Sequence, residues 1–174
     1  MQRFSFCPQC GGRLFYQPRG GVDRLTCGSC GYILYENPVV GVAGIHLSDG
    51  RILLGRRSPQ SSYPGLWCIP CGYVEYNEDV WDAVQREFLE ETGLHIKPER
   101  VFTVLSNFHN PQLHTVGIWF CVSVTGGRIE AGDDLDRVAF FSLDDVPPLA
   151  FPTDYLVLDM LRGLNFVGQK GIKP

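Results

Sequence analysis

A mixed β-sheet flanked by helices, of the α/β (α+β) class, behind a small N-terminal ribbon is the fold this sequence predicts. Three observations lead there. Two C-x2-C pairs lie at Cys7–Cys10 and Cys27–Cys30, short β-branched runs begin after Asn37-Pro38, and helical periodicity appears near residues 78–92 and 154–164. A chain of 174 residues holds one good core and an appendage but not two ordinary domains, so the expected division is 1–36 and 37–174.

The composition narrows the class. With 44% hydrophobic and 20% charged residues the chain reads as a soluble globular protein, and a net charge of −4 gives no general attraction to nucleic acid or to an anionic membrane. Any anionic substrate must be held locally. No apolar run is long enough to span a bilayer, and the start leads directly to Cys7 with no room for a signal peptide, so a cytoplasmic, reducing setting is expected. Seven cysteines, an odd number, then favour metal ligands and free thiols over a disulfide framework.

Sixteen residues separate Cys10 from Cys27, a spacing suited to a four-cysteine zinc site. Gly11 and Gly31 follow the second cysteine of each pair, as a tight turn requires. Two unrelated pairs of core cysteines would leave those matched glycines unexplained. Four thiolates leave no open position, so Zn²⁺ bound by Cys7, Cys10, Cys27 and Cys30 is structural and supplies folding energy to a segment too short for a core. Arg13–Tyr16 and Arg24–Thr26 read as a hairpin between the pairs. Zinc ribbons also bind nucleic acid, but Arg3, Arg13, Arg19 and Arg24 are too few and scattered to track phosphates.

In the main domain Val39–Ile45 and Arg51–Gly55 read as paired strands about the Asp49-Gly50 turn. Further strands are predicted at 67–69, 101–105, 117–124 and 138–141. The first helix, Glu78–Thr92, takes Asn77 as its N-cap and stops at Gly93. Val80, Val84 and Phe88 form its inward stripe; Glu91 falls on that stripe, Glu87 at its edge, and Glu90 one neighbour further round. An ordinary glutamate run is a solvated face. Carboxylates sharing the core-facing angle repel one another and need a cation, which Mg²⁺ or Mn²⁺ supplies while keeping positions open for phosphate oxygens. Arg86 reaches Glu90 at i+4 but cannot by itself neutralise three glutamates.

The stretch Gly72-x5-Glu78-x7-Arg86-Glu87-Phe88-x-Glu90-Glu91-x-Gly93-Leu94 matches all nine defined positions of the box of the Nudix hydrolase family, which the sequence resembles from Asn37 to Leu164. The resemblance implies a Nudix-type α/β/α sandwich and hydrolysis of the pyrophosphate in a nucleoside diphosphate linked to another moiety. By that analogy Glu87, Glu90, Glu91 and the Gly72 carbonyl hold Mg²⁺ or Mn²⁺, Glu78 and Arg86 brace loop to helix, and Glu90 or Glu91 is the base. Relatives that use an acid from a later loop carry glutamate where this chain has Arg137, which leaves the base open. The compact ribbon and the stretch Pro148–Tyr155 resemble the group acting on ADP-ribose and FAD. The Ser-Gln-Pro-Trp-Pro-Phe-Pro stretch of NADH pyrophosphatases is missing, which ranks NADH second. A zinc-ribbon nucleic-acid binder without hydrolase activity is the alternative from another class. Small-molecule nucleotides are therefore the expected partners, and the resemblance allows a homodimer.

Arg56 and Arg57 are set to meet phosphate or to stay solvated, and Phe108, His109, His114 and Trp119 to shape a base pocket or fill the core. Trp67-Cys68-Ile69-Pro70-Cys71 has dithiol spacing, but a redox site needs a helix starting at its first cysteine, and here a loop follows Cys71. Cys68, Cys71 and Cys121 are expected to be small apolar residues.

Overall fold

The computed structural model describes residues 3–168 and divides into two units after Pro38. The first unit is a three-stranded antiparallel sheet of β1 (Leu14–Arg19), β2 (Val22–Cys27) and β3 (Ile33–Leu34), in that order. Gly20 and Gly21, both at positive φ, make the two-residue turn between β1 and β2. Its core is small: Leu14 and Leu25 are buried with Cys7 and Cys27, flanked by Tyr32 and Leu34.

The second unit runs β4 (Val39–Ile45), β5 (Leu47–Ser48), β6 (Arg51–Arg57), β7 (Trp67–Cys68), β8 (Cys71–Tyr73), α1 (Val80–Thr92), β9 (Leu94–Asn107), β10 (Thr115–Gly127), β11 (Leu135–Ser142) and α2 (Pro152–Gly168). One sheet has the order β8-β4-β10-β9, in which β4 and β10 are parallel and the other pairs antiparallel; the other has β11-β6-β5, with β7 also on β6. Strand alternation then builds two cores. Val42, Leu53 and Phe120 pack with Ala83, Val84 and Phe88 of α1, while their neighbours Ala43, Leu54 and Trp119 pack with Val157, Leu158 and Leu161 of α2. Helices therefore cover opposite faces, giving the layered sandwich.

Several local expectations change. The Asp49-Gly50 turn forms with both residues at positive φ, but it joins β6 to the two-residue β5, not to β4. The chain breaks its strand at His46, which frees β4 to pair with β8 and β10 in the other sheet. The residues after Cys71 form a short strand before the loop. Asp79, not Asn77, caps α1: its carboxylate accepts the Trp81 N–H at 2.8 Å, and the helix begins at Val80. Gly93 ends it in the left-handed conformation, as foreseen. Strand β9 starts directly after that cap, seven residues before the predicted 101–105 segment, with Leu94 and Ile96 buried beneath α1.

Candidate active site

In the first unit the four cysteine sulfurs lie within 4.8 Å of one another, with Cys7 and Cys30 sulfurs 3.8 Å apart and those of Cys10 and Cys27 3.5 Å apart. Amide N–H groups of Gln9 and Ser29 donate to the Cys7 and Cys27 sulfurs at 3.4 Å. Gly11 and Gly31 turn at positive φ, as the knuckle geometry demands. The Cys30 amide is the main influence lowering the Cys27 thiol to about 6, while the neighbouring sulfurs of Cys10, Cys27 and Cys7 push the Cys30 thiol up, as thiols crowded without a shared cation would. This donor set fits a structural Zn²⁺ with no coordination position left over.

In the second unit the box residues sit around one guanidinium. Arg86 donates to Glu78 at 2.7 and 2.8 Å, to Glu87 at 2.8 Å, to Glu90 at 3.0 Å and to the Tyr73 carbonyl at 3.1 Å. Those bonds to Arg86 hold the Glu78 carboxyl down at about 2. Glu91, only 1% exposed, accepts the Cys71 N–H at 2.7 Å, and burial pushes its carboxyl well above the usual range. Burial also raises Glu87, with Arg86 opposing and the charges of Glu90 and Asp133 adding to the rise. The helix stripe thus places Glu91 innermost and Glu87 next, while the Glu90 side chain remains 48% exposed.

Glu87, Glu90 and Glu91 do not converge on one point. Among the described residues the four cysteines are the group whose ligand atoms lie within 4.8 Å of one another; Glu87 and Glu90 share the Arg86 Nη1, whereas Glu91 is held apart on the Cys71 amide. The oxygen donors nonetheless suit a hard divalent ion: Glu87 lines a cavity of about 640 Å³ together with Gly72, and burial disfavours the ionised forms of both Glu87 and Glu91, which a cation would restore. The backbone approaches Glu87 as closely as glycine allows. A Cβ on Gly72 would stand 2.0 Å from the Glu87 carboxyl carbon. The obstructed group is the far end of a flexible side chain, so Gly72→Ala is expected to fold with a melting temperature within a few degrees of the parent, and to lose activity about 10- to 100-fold as Glu87 is displaced. Differential scanning fluorimetry beside initial rates checks this; a fully active Gly72→Ala would show that Glu87 need not sit against a bare backbone.

The rest of the cavity includes Tyr63, Asn107, His109, Asp133, Asp134, Phe151 and Asp154. Tyr63, His109 and Phe151 form a ring cluster with centroids 5.7 to 5.9 Å apart. Arg57 lines the cavity but is engaged: it donates to the Ser62 carbonyl and hydroxyl and to Asp134, each at 3.0 Å, with its guanidinium 5.8 Å from the Phe151 ring. Arg56, expected beside it at a phosphate, lies outside the cavity lining and pairs with Asp136 at 2.7 Å, since neighbours on a strand face opposite ways. Trp119 is at once core and cavity wall, 5% exposed, with its indole N–H toward the Asp154 carboxyl, whose ionised form it favours. Asp154, 2% exposed, accepts the Ile69 N–H at 3.1 Å, and burial raises its carboxyl to about 7. His109 joins the cavity, whereas Phe108 is exposed and stacks edge-on against His114 outside it.

Sequence reading passed over Tyr63, Phe151, Asp133 and Asp154. Asp133 carried a weak signal, being in the acidic loop considered for a base; Arg137 of that loop lies in β11, opposite Arg56. Phe151 and Asp154 carried one only as members of the stretch Pro148–Tyr155, and Tyr63 carried none, because a loop tyrosine is ordinary in sequence. Dithiol chemistry finds no support at Cys68 and Cys71. They flank a strand-to-strand turn far ahead of α1, and the Cys68 sulfur beside Cys71, with burial, pushes that thiol well above its usual range.

The site thus consists of an acidic helix braced by one arginine beside a cavity and a Gly-bearing strand, carried on a two-helix sandwich. The chain belongs to the Nudix hydrolase family: the NUDIX domain model matches residues 36–161 and the Nudix N-terminal zinc-ribbon model residues 5–36. It is 39% identical over 135 residues to a protein of Methanocaldococcus jannaschii named ADP-ribose pyrophosphatase, covering 77% of this chain and 79% of that one. It is 31% identical over 150 residues to a Stutzerimonas stutzeri protein named NAD-capped RNA hydrolase NudC, covering 86% of this chain but only 52% of the relative. A crystal structure of a NUDIX hydrolase from Nitrosomonas europaea superimposes with a TM-score of 0.78 at 28% identity, covering 89% of this chain and 88% of that one. As a member of this family the protein is an enzyme, and a reading as a ribbon that only binds nucleic acid gives way. No helix among the described residues is long and apolar enough to cross a membrane.

Proposed function

We propose that this protein hydrolyses the pyrophosphate of a nucleoside diphosphate linked to a second moiety, with ADP-ribose the first substrate and FAD next. The observation that carries the reading is the cavity itself, whose lining includes both Glu87, set against Gly72, and the Tyr63–His109–Phe151 ring cluster. A diphosphate joined to a nucleoside needs both. The relative named ADP-ribose pyrophosphatase supports the substrate class. Relatives named NAD-capped RNA hydrolase favour a second reading, in which a nicotinamide dinucleotide is cut; NADH is its small-molecule test.

Glu87, Glu90, Glu91 and the Gly72 carbonyl are the groups that would hold Mg²⁺ or Mn²⁺. When bound, such an ion neutralises the diphosphate and acidifies water. The protein's own contribution is orientation. Arg86 is a positioning residue that fixes the rotamers of Glu87 and Glu90 and ties α1 to the Tyr73 carbonyl. Glu91 is fastened to the Cys71 amide, which locks β8 and its Gly72 against the helix. Arg57 holds the Ser62–Tyr63 loop at the cavity rim through Ser62. The attacking water gives its proton to Glu90 or Glu91, or to Asp133, which lines the cavity with Glu87. A panel of ADP-ribose, FAD, NADH and a nucleoside triphosphate, run with Mg²⁺ and with Mn²⁺, tests the assignment. ADP-ribose or FAD should give the highest kcat/KM and release two monophosphate products. Preference for the triphosphate, or inactivity on every dinucleotide-type substrate, would overturn it.

A further inference from the structure

The ribbon sheet carries a surface that neither the zinc site nor the cavity uses. Side chains alternate along a strand, and residues opposite one another on paired strands share a face. Leu14 opposite Cys27 and Leu25 opposite Leu34 put the small core, with the sulfurs of Cys7 and Cys27, on one face. The other face therefore takes Arg13, Phe15 and Arg19 along β1, Arg24 of β2 and Tyr35 just past β3. Phe6, bridged to Arg13, joins them. Two contacts across strands agree with that assignment: the Arg13 guanidinium lies 4.5 Å from the centre of the Phe6 ring, and that of Arg24 4.8 Å from the centre of the Tyr35 ring.

Three rings and three guanidinium groups thus share a face that holds no carboxylate. Asp23 and Glu36, the acids of residues 1–38, alternate to the other side, where Glu36 accepts the Tyr16 hydroxyl at 3.4 Å. Arg13, Arg19 and Arg24 make no hydrogen bond or ion pair among the described residues. Phe6, Phe15 and Tyr35 are 56%, 54% and 57% exposed, so their rings are open to a further stacking partner. In the sequence these arginines look scattered; the sheet register gathers them. A partner that satisfies the whole face is anionic and presents planar groups, which single-stranded nucleic acid does. A duplex hides its base faces, and an acidic protein surface leaves the rings without a matching plane.

We propose that this face of the ribbon is a platform for single-stranded nucleic acid, with bases stacked on Phe6, Phe15 and Tyr35 and backbone phosphates on Arg13, Arg19 and Arg24. Counting the Phe6 segment, four strands span about 14 Å at the usual strand spacing. Other four-stranded sheets stack two or three bases in this way. The site lies within the first unit and stands whether or not ADP-ribose is the substrate of the second.

End-labelled oligouridylate and oligodeoxythymidylate of about twelve nucleotides, as single strands and as duplexes with their complements, are titrated with the full zinc-loaded chain and read by fluorescence anisotropy. One or both single strands should bind, with log K falling against log salt at a slope of about −2 for three phosphate contacts, and the duplexes about tenfold more weakly. Phe15→Ala and Tyr35→Ala should each weaken binding about tenfold, and Arg24→Gln should reduce the slope by about 0.7, with zinc content and melting temperature unchanged. Failure of both single strands to bind at about 50 mM salt overturns the proposal, as does equal affinity for the duplexes or parental affinity in folded Phe15→Ala and Tyr35→Ala. Should those variants lose zinc, a 4-thiouridine oligomer cross-linked to the parent decides: cross-links within residues 4–35 support the platform, and cross-links confined to the second unit overturn it. A dimer of the parent that Phe15→Ala dissociates would give the face to a second copy and overturn the proposal as well.

Discussion

Glu87→Gln is expected to leave the protein folded and to lower kcat about 10³-fold, a loss of the size seen when one preorganised charge-stabilising group is removed. Glutamine keeps the length of the side chain and an oxygen for the Arg86 N–H, so the bracing of Glu78 and Glu90 survives. Burial already disfavours the ionised Glu87, and the fold is not weakened by making it neutral. The cavity alone loses its charge. Circular dichroism and melting temperature test the first half, and single-turnover rates on ADP-ribose the second. Retention of more than about a tenth of the parent rate would take Glu87 out of the reaction. Glu90→Gln and Asp133→Asn, measured beside it, separate the two exposed base assignments: the variant whose pH–rate profile loses its acid limb identifies the base.

Removal of zinc is expected to unfold the ribbon while the second unit stays folded. The ribbon buries few large apolar side chains among its described residues, chiefly Leu14 and Leu25, and such a core cannot offset the chain entropy of some thirty residues. A structural zinc of this kind contributes on the order of 10 kcal/mol at neutral pH. Chelation should release one zinc per chain with the appearance of four reactive thiols, and amide exchange should become fast across β1–β3 but remain slow in α1 and β10. Cys10→Ser should show the same exchange pattern without chelator. Persistent protection of β1–β3 in metal-free protein would show that the hairpin holds without its ion.

Most of the chemistry-bearing residues were legible because their signal is local. Cysteine spacing names a metal site within a single hairpin, and a period of 3.6 tells which glutamates share an angle with Val80, Val84 and Phe88. Glu91 is accordingly buried and Glu87 nearly so. The same reasoning failed one turn earlier. Asn77 and Asp79 are both good caps, and Asp79 takes the role, its carboxylate on the Trp81 N–H, while Glu78 turns to the Glu75 amide and to Arg86, eight residues on. Arg56 and Arg57 looked alike in sequence, and only the pairing of β6 with β11 decides which one meets Asp136 and which lines the cavity.

From the sequence alone come the zinc ligands, the helix that carries the glutamates, and the family they mark, since each depends on residues close along the chain. Tertiary structure decided the sheet partner of β4, the three carboxylates gathered on Arg86, and the meeting of Tyr63, Trp119, Phe151 and Asp154 around one cavity. Those groups come from segments up to ninety-one residues apart in the chain. Their association depends on which faces of the two sheets are buried, and no period or spacing along the sequence records that choice.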